Sequence, residues 1–210
     1  MAANRPRCCA CGAVSVTEAF AQPTLAQRIG DEMSSLDFIG KHYPMLCHWG
    51  VRDEDVLLHS LGCSAWNALG LELGFMAVTE CPAPITHGAD IRPDSTWFDR
   101  QQKTPAVLIE FERYDGSERG QKKLDEKLCN LLEARRRWGN TPSVLILSAW
   151  SKAVVSAPNK APLVQRCHGF TSSTGVHIAG HTTVLLNRFI FEIEQGGMLM
   201  LKQTRCESLL

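Results

Sequence analysis

Apolar positions recur at helical spacing in three stretches of the chain. Leu25, Ile29, Met33 and Leu36 give one apolar face to a helix over residues 24–40, with Thr24 as its N-cap behind Pro23 and Gly40 and Pro44 ending it. Leu57, Leu58, Leu61, Trp66 and Leu69 do the same for a helix over residues 53–73. Asp53, Glu54 and Asp55 sit in its first turn, where the helix dipole favours negative charge, and Gly74 suits its C-cap. Gly62 and Gly70 each lower its propensity by up to ~1 kcal/mol but allow close approach to a sheet. Leu124, Leu128, Leu131 and Leu132 form the stripe of a third helix, opened by Ser117 and running to about Trp138.

Between these lie runs with strand character: residues 75–80, 90–98, 104–114 and 144–147, with a further short strand over residues 175–179. Val144 to Leu147 is continuously apolar, as expected of a strand covered on both faces. A strand, a long helix and a buried strand make a right-handed crossover unit. Residues 42–50 read as a loop with Tyr43 and Trp49 packed on the core, residues 81–88 as a Pro- and Gly-rich loop, and residues 152–173 as a long loop. Residues 182–194 read as a final helix, with Val184, Leu185, Phe189, Ile190 and Ile193 leaving a strand open. Gly196-Gly197 permits a turn, and the tail from Met198 to Leu210 is expected to dock on the body or on a second subunit. The predicted architecture is α/β, a mixed central sheet flanked by helices with an extra N-terminal helix. Its predicted organisation is a flexible segment over residues 1–23, one domain over 24–197 and a tail over 198–210.

The strand over residues 104–114 carries the chemistry. Side chains alternate faces along a strand, so Glu110 and Glu112 project to one face and Ile109 and Phe111 to the other. Two carboxylates on one face are satisfied either by solvent or by a divalent metal. Asp94, on the preceding segment, supplies a third if the two segments pair as a hairpin, although Pro93 makes a bulge or an edge position the expected local geometry. An oxygen-only set of this kind suits Mg²⁺ or Mn²⁺.

Pro93-Asp94, a short gap, Glu110-Phe111-Glu112 on an apolar strand, and then a helix together resemble the motif of the PD-(D/E)XK nuclease superfamily, the restriction-endonuclease-like fold. The resemblance covers about residues 54–150 and departs from the family pattern at one position, where Glu112 stands in place of the usual Lys. It implies a metal-dependent DNA endonuclease or phosphodiesterase. Asp94, Glu110 and the Phe111 carbonyl would hold Mg²⁺ or Mn²⁺, and Glu112 would accept a proton or hold a second metal. Glu54, on the helix before the motif, is the candidate accessory ligand implied, with Glu72 weaker; capping charge is its ordinary reading.

The helix after the motif carries Arg119, Gln121, Lys122, Lys123 and Lys127 in its first turns. Lys123 and Lys127, at i and i+4, share a face beside the leucine stripe, and either could replace the missing Lys and offset charge developing on a phosphate. Arg113, Arg119, Gln121 and Lys122 are candidates for nucleic-acid contact; a solvated basic face is the ordinary reading of such a run. His87, in a loop, is a further candidate ligand or proton shuttle against the reading that it is merely exposed.

Composition narrows the classes. Formal net charge is +0, with 22 basic and 22 acidic residues, which argues against a large phosphate-gripping surface but not against a local basic patch. No apolar run approaches a membrane span, and the first residues lack the apolar core of a secretory signal, so a cytoplasmic location with reduced thiols is expected for the nine cysteines. Cys8 and Cys11 make one half of a zinc site, and no second pair with suitable spacing is near. No glycine-rich phosphate loop, G-x-S-x-G elbow or H-E-x-x-H is found. Two alternatives to a nuclease stay open: a catalytically degenerate protein of the same fold that binds nucleic acid or a protein partner, and a non-nuclease interaction protein with Glu110 and Glu112 on a solvated face. A homodimer would suit a double-strand cutter, by analogy.

Overall fold

Seven strands run side by side in the order Val51–Arg52, Met198–Ser208, Val184–Ile193, Val144–Lys152, Pro105–Arg113, Ser95–Phe98 and Met76–Thr79. The computed structural model describes residues 22–52, 54–85 and 90–210. In chain order the elements are α1 (Leu25–Glu32), α2 (Asp37–His42), a π-helical turn (Met45–Trp49), β1 (Val51–Arg52), α3 (Asp55–Glu72), β2 (Met76–Thr79), β3 (Ser95–Phe98), β4 (Pro105–Arg113), α4 (Glu118–Arg137), β5 (Val144–Lys152), α5 (Lys160–Cys167), β6 (Gly169–Thr171), β7 (His177–Ala179), β8 (Val184–Ile193) and β9 (Met198–Ser208). The central strands β4, β5 and β8 are parallel and the outer pairings antiparallel; β6 and β7 form a separate hairpin. The α/β class and mixed sheet expected from the sequence are thus present. No helix among the described residues is long and apolar enough to cross a membrane.

Helices cover both faces of the sheet. On one face Ile109, Phe111, Trp97 and Phe189 pack with Leu58, Trp66 and Leu69 of α3 and with Ile29, Met33 and Ile39 from α1, α2 and the bend between them. On the other, Leu108, Leu145 and Leu186 pack with Leu124, Leu128 and Leu131 of α4 and Leu163 of α5. Continuous apolar runs in β4, β5 and β8 follow from this double cover. Gly62 and Gly70 bring α3 down onto the sheet: a Cβ on Gly62 would stand 2.1 Å from the Phe111 ring, and one on Gly70 2.7 Å from the Trp97 ring.

Several elements differ from expectation. The first helix is two, broken at Ser34-Ser35, whose hydroxyls bond the Gly30 carbonyl and the Asp37 backbone N–H instead of letting the helix continue. Trp49 is 69 % exposed rather than packed, because the π-helical turn aims Leu46 inward. Strand β3 begins only at Ser95, after Pro93. The long loop expected at 152–173 contains α5, capped by the Asn159 side chain. Residues 184–193 form a strand, not a helix. The expected tail is β9, hairpinned to β8 through a turn in which Gly196 and Gly197 both take positive φ. The last strand therefore belongs to the central sheet. Residues 1–21, Asp53 and 86–89 lie outside the described residues, so the Cys8–Cys11 cluster and His87 have no structural account.

Candidate active site

The ladder between β3 and β4 ends where the acidic residues meet. Ser95 is paired with Ile109, so continued pairing would set Pro93 opposite Phe111. Proline cannot continue the ladder, and the Asp94 carboxylate takes the place of backbone: its Oδ2 accepts the Phe111 N–H at 2.7 Å. The hairpin expected from the sequence thus delivers Asp94 to the Glu110–Glu112 segment. Leu108 packs under α4, and Glu110 and Glu112, two and four residues on, face that helix too.

Each carboxylate has a cation. Lys127 Nζ lies 2.7 Å from Glu110 Oε2, and Lys123 Nζ 2.6 Å from Glu112 Oε1, which also accepts the Arg113 N–H. His59 Nε2, from α3, lies 3.3 Å from Asp94 Oδ1. Glu110 is 1 % exposed, Asp94 7 % and Glu112 9 %. The exposed members are Lys123 and His59, so the cluster meets solvent on that side.

Burial pushes Glu110 up to about 8; the adjacent Asp94 carboxylate adds to the rise, and Lys127 opposes it. Burial alone would raise Asp94, but hydrogen bonds from His59 and the Phe111 N–H outweigh it and hold Asp94 below its usual range. His59 is raised to about 10, first by its hydrogen bond to Asp94 and then by Cys63. Burial works against the charge on Lys127, yet Glu110 raises it above the usual lysine range. The site therefore contains a carboxyl that gives up its proton reluctantly beside one that gives it up readily.

The expected triad of carboxylates is only partly assembled. Asp94 lies near enough to Glu110 to raise its pKa, while Glu112 is drawn to Lys123. The compact group of potential ligands among the described residues is instead His59, Cys63 and Asp94, with ligand atoms all within 4.8 Å of one another. Glu54 is the exposed residue preceding α3 and makes no capping bond; the α3 side chain that reaches Asp94 is His59, one turn further on. Glu72 pairs with Lys41 and His42 at the other end of α3.

The other candidates are dispersed. Arg113 pairs with Asp55 at 2.6 Å and lies over the Trp150 ring. Gln121 clasps the Asn159 backbone with both ends of its amide, tying α4 to the start of α5. Lys122 is exposed with Glu126 3.9 Å away, and Arg119 is exposed. A groove of about 600 Å³ runs along α4 beside Ile91, Lys122, Arg166 and Phe170 and includes none of Asp94, Glu110 and Glu112.

Two features escaped the sequence reading. His59 and Cys63 are at i and i+4 on α3, a pairing visible in the sequence but hidden among its apolar positions. Arg188 of β8 is 9 % exposed and on the α4 side of the sheet, in the row Glu112, Ala149, Arg188, Arg205 across four strands. Burial and then Arg205 lower its pKa, and no carboxylate among the described residues forms an ion pair with it. Comparison of the chain with protein-family models, with curated proteins and with solved structures found no match.

Proposed function

We propose that this chain is a metal-dependent DNA phosphodiesterase on a restriction-endonuclease-like fold, with α4 supplying the lysine that Glu112 replaces on β4. The observation that carries the reading is the delivery of Asp94 to β4, where its Oδ2 accepts the Phe111 N–H at 2.7 Å, next to Glu110 with Lys127 2.7 Å from it. The donor set fits a hard divalent cation: the two buried carboxylates offer oxygen only, as Mg²⁺ and Mn²⁺ prefer, and a cation there would offset the burial and the lesser Asp94 repulsion that raise Glu110.

Asp94 and Glu110 would hold the metal, which supplies Lewis-acid polarisation of a scissile phosphate. The Phe111 N–H fixes Asp94, so one of its two oxygens is oriented by the backbone of β4 itself. Lys127 carries a positive charge to the same face and would offset charge developing on the phosphate. Glu112, on the solvent side, would accept a proton once Lys123 turns outward to the DNA backbone. Arg188, a buried cation on the same face, supports an anionic ligand over this part of the sheet.

A second reading, a protein of this fold that binds nucleic acid or a protein partner without cutting, is favoured by the ion pairs themselves. His59, Lys127 and Lys123 already neutralise Asp94, Glu110 and Glu112. Cleavage of supercoiled plasmid with Mg²⁺ or Mn²⁺, run beside Glu110→Ala and with DNA-binding measured in parallel, separates the readings. Metal-dependent cutting lost in Glu110→Ala supports the enzyme, and binding without cutting supports the second.

A further inference from the structure

We propose that His59, Cys63 and Asp94 form a three-ligand site for a borderline transition metal such as Zn²⁺, distinct in donor chemistry from the oxygen-only Asp94–Glu110 pair. The inference stands without the phosphodiesterase reading, although the two sites share Asp94.

Four residues apart on α3, His59 and Cys63 lie one above the other on the same face. The third ligand comes from a different element. Asp94 uses Oδ2 to accept the Phe111 N–H and leaves Oδ1 turned to His59, 3.3 Å from Nε2. Cys63 Sγ is 3.7 Å from His59 Nδ1 and 3.9 Å from Nε2. A tetrahedral zinc with bonds of about 2.0–2.3 Å needs ligand atoms about 3.3–3.6 Å apart. The two edges to His59 are within a few tenths of an ångström of that spacing, and the Cys63–Asp94 edge, within 4.8 Å, closes onto the ion.

The donors choose the metal. Mg²⁺ binds neither thiolate nor imidazole readily, whereas Zn²⁺ and Co²⁺ take sulfur, nitrogen and carboxylate together. Cys63 is 5 % exposed and Asp94 7 %, so the inner side of the group is dry. His59 is half-open to solvent and leaves a direction for a fourth ligand, which makes this an open site rather than a closed structural one. The competing explanation is a core cysteine, since Cys63 also packs in the α3 core, beside an ordinary His–Asp ion pair.

Cobalt(II) distinguishes them, because thiolate ligation gives a near-ultraviolet charge-transfer band and tetrahedral geometry gives strong visible bands. The full chain is titrated under reducing conditions with Cys8, Cys9 and Cys11 replaced by Ser, so that sulfur from the N-terminal cluster does not contribute. The expected result is one equivalent of Co²⁺ with both signatures. Cys63→Ser on that background removes the charge-transfer band, and His59→Gln, at a half-exposed position, weakens binding at least about tenfold. Thermal melts confirm that both variants fold. No bands, or bands unchanged by Cys63→Ser and His59→Gln, overturn the site. Glu110→Ala is expected to retain the charge-transfer band while abolishing Mg²⁺-dependent cutting, so failure of one proposal is distinguishable from failure of the other.

Discussion

Lys127 Nζ lies 2.7 Å from Glu110 Oε2, and this pair is repeated one helical turn earlier by Lys123 and Glu112. The match has a geometric cause. Four residues of helix advance about 6 Å and two residues of strand about 6.6 Å, so a helix laid antiparallel over β4 brings successive i, i+4 lysines onto successive i, i+2 glutamates. Lys127 meets the buried carboxylate and Lys123 the one nearer solvent. This is the physical basis for assigning Lys127, rather than Lys123, to the position nearest Asp94.

Breaking the inner pair is expected to cost more than breaking the outer one. Above about pH 8, where Glu110 is ionised, Lys127→Met leaves a buried carboxylate without its cation and should destabilise by about 3 kcal/mol, the lower end for a broken buried pair because Glu110 can take up a proton. Lys123→Met removes a half-exposed partner and should cost about 1 kcal/mol or less. The double variant Glu110→Gln/Lys127→Met should recover much of the loss. Urea unfolding of the set, read as a double-mutant cycle, checks this.

Stability should fall between pH 4.5 and about 8 because of Glu110. Its carboxyl is raised to about 8 in the fold, so the folded state keeps a proton that the unfolded chain has released, and stability declines as pH rises across that window. Glu110→Gln should flatten that decline in a series of thermal melts. His59 has the same sign in another window: raised to about 10, it contributes stability that is complete below about 6.5 and is lost as pH climbs through about 10. In His59→Gln the stability difference from wild type should shrink across that alkaline range.

Gly62→Ala should destabilise by about 1–3 kcal/mol, as overpacking does, because the added Cβ would stand 2.1 Å from the Phe111 ring. The same displacement would move the N–H that holds Asp94, so metal affinity measured by calorimetry should fall together with the urea midpoint.

Arg188 should show opposite effects on folding and binding. Replacing a buried guanidinium that lacks an ion-pair partner with Met should leave stability unchanged or raised. DNA affinity should fall, and the slope of its logarithm against log salt should drop by about 1, one phosphate contact. A lowered melting temperature with unchanged binding would assign Arg188 a structural role.

Much of this arrangement is readable in the chain before folding. The leucine stripe of α4 and the alternation of Glu110, Phe111 and Glu112 place the lysines and carboxylates on facing surfaces, because both periodicities are set by backbone geometry alone. Gly62 and Gly70 signal the close approach of α3. Other features depend on tertiary choice. The run from Val184 to Ile193 fits a helical stripe and a buried strand equally, and pairing with β5 and β9 decides it. Helix α5 is eight residues long, with Leu163 and Cys167 as its buried positions, too little periodicity to stand out in a polar stretch. The charged start of α3 points to Glu54 as its accessory side chain. His59 reaches Asp94 because the helix lies across the end of β3, a placement that local charge does not encode.

The most direct test of the central claim is cleavage of supercoiled plasmid by the full chain with Mg²⁺ or Mn²⁺, beside Glu110→Ala and Lys127→Met. Metal-dependent nicking or linearisation is expected of the wild type, none of Glu110→Ala, and a loss of about 10²-fold or more in Lys127→Met with binding to DNA retained. Cutting that survives Glu110→Ala, or a wild type that binds neither divalent metal nor DNA, would contradict it.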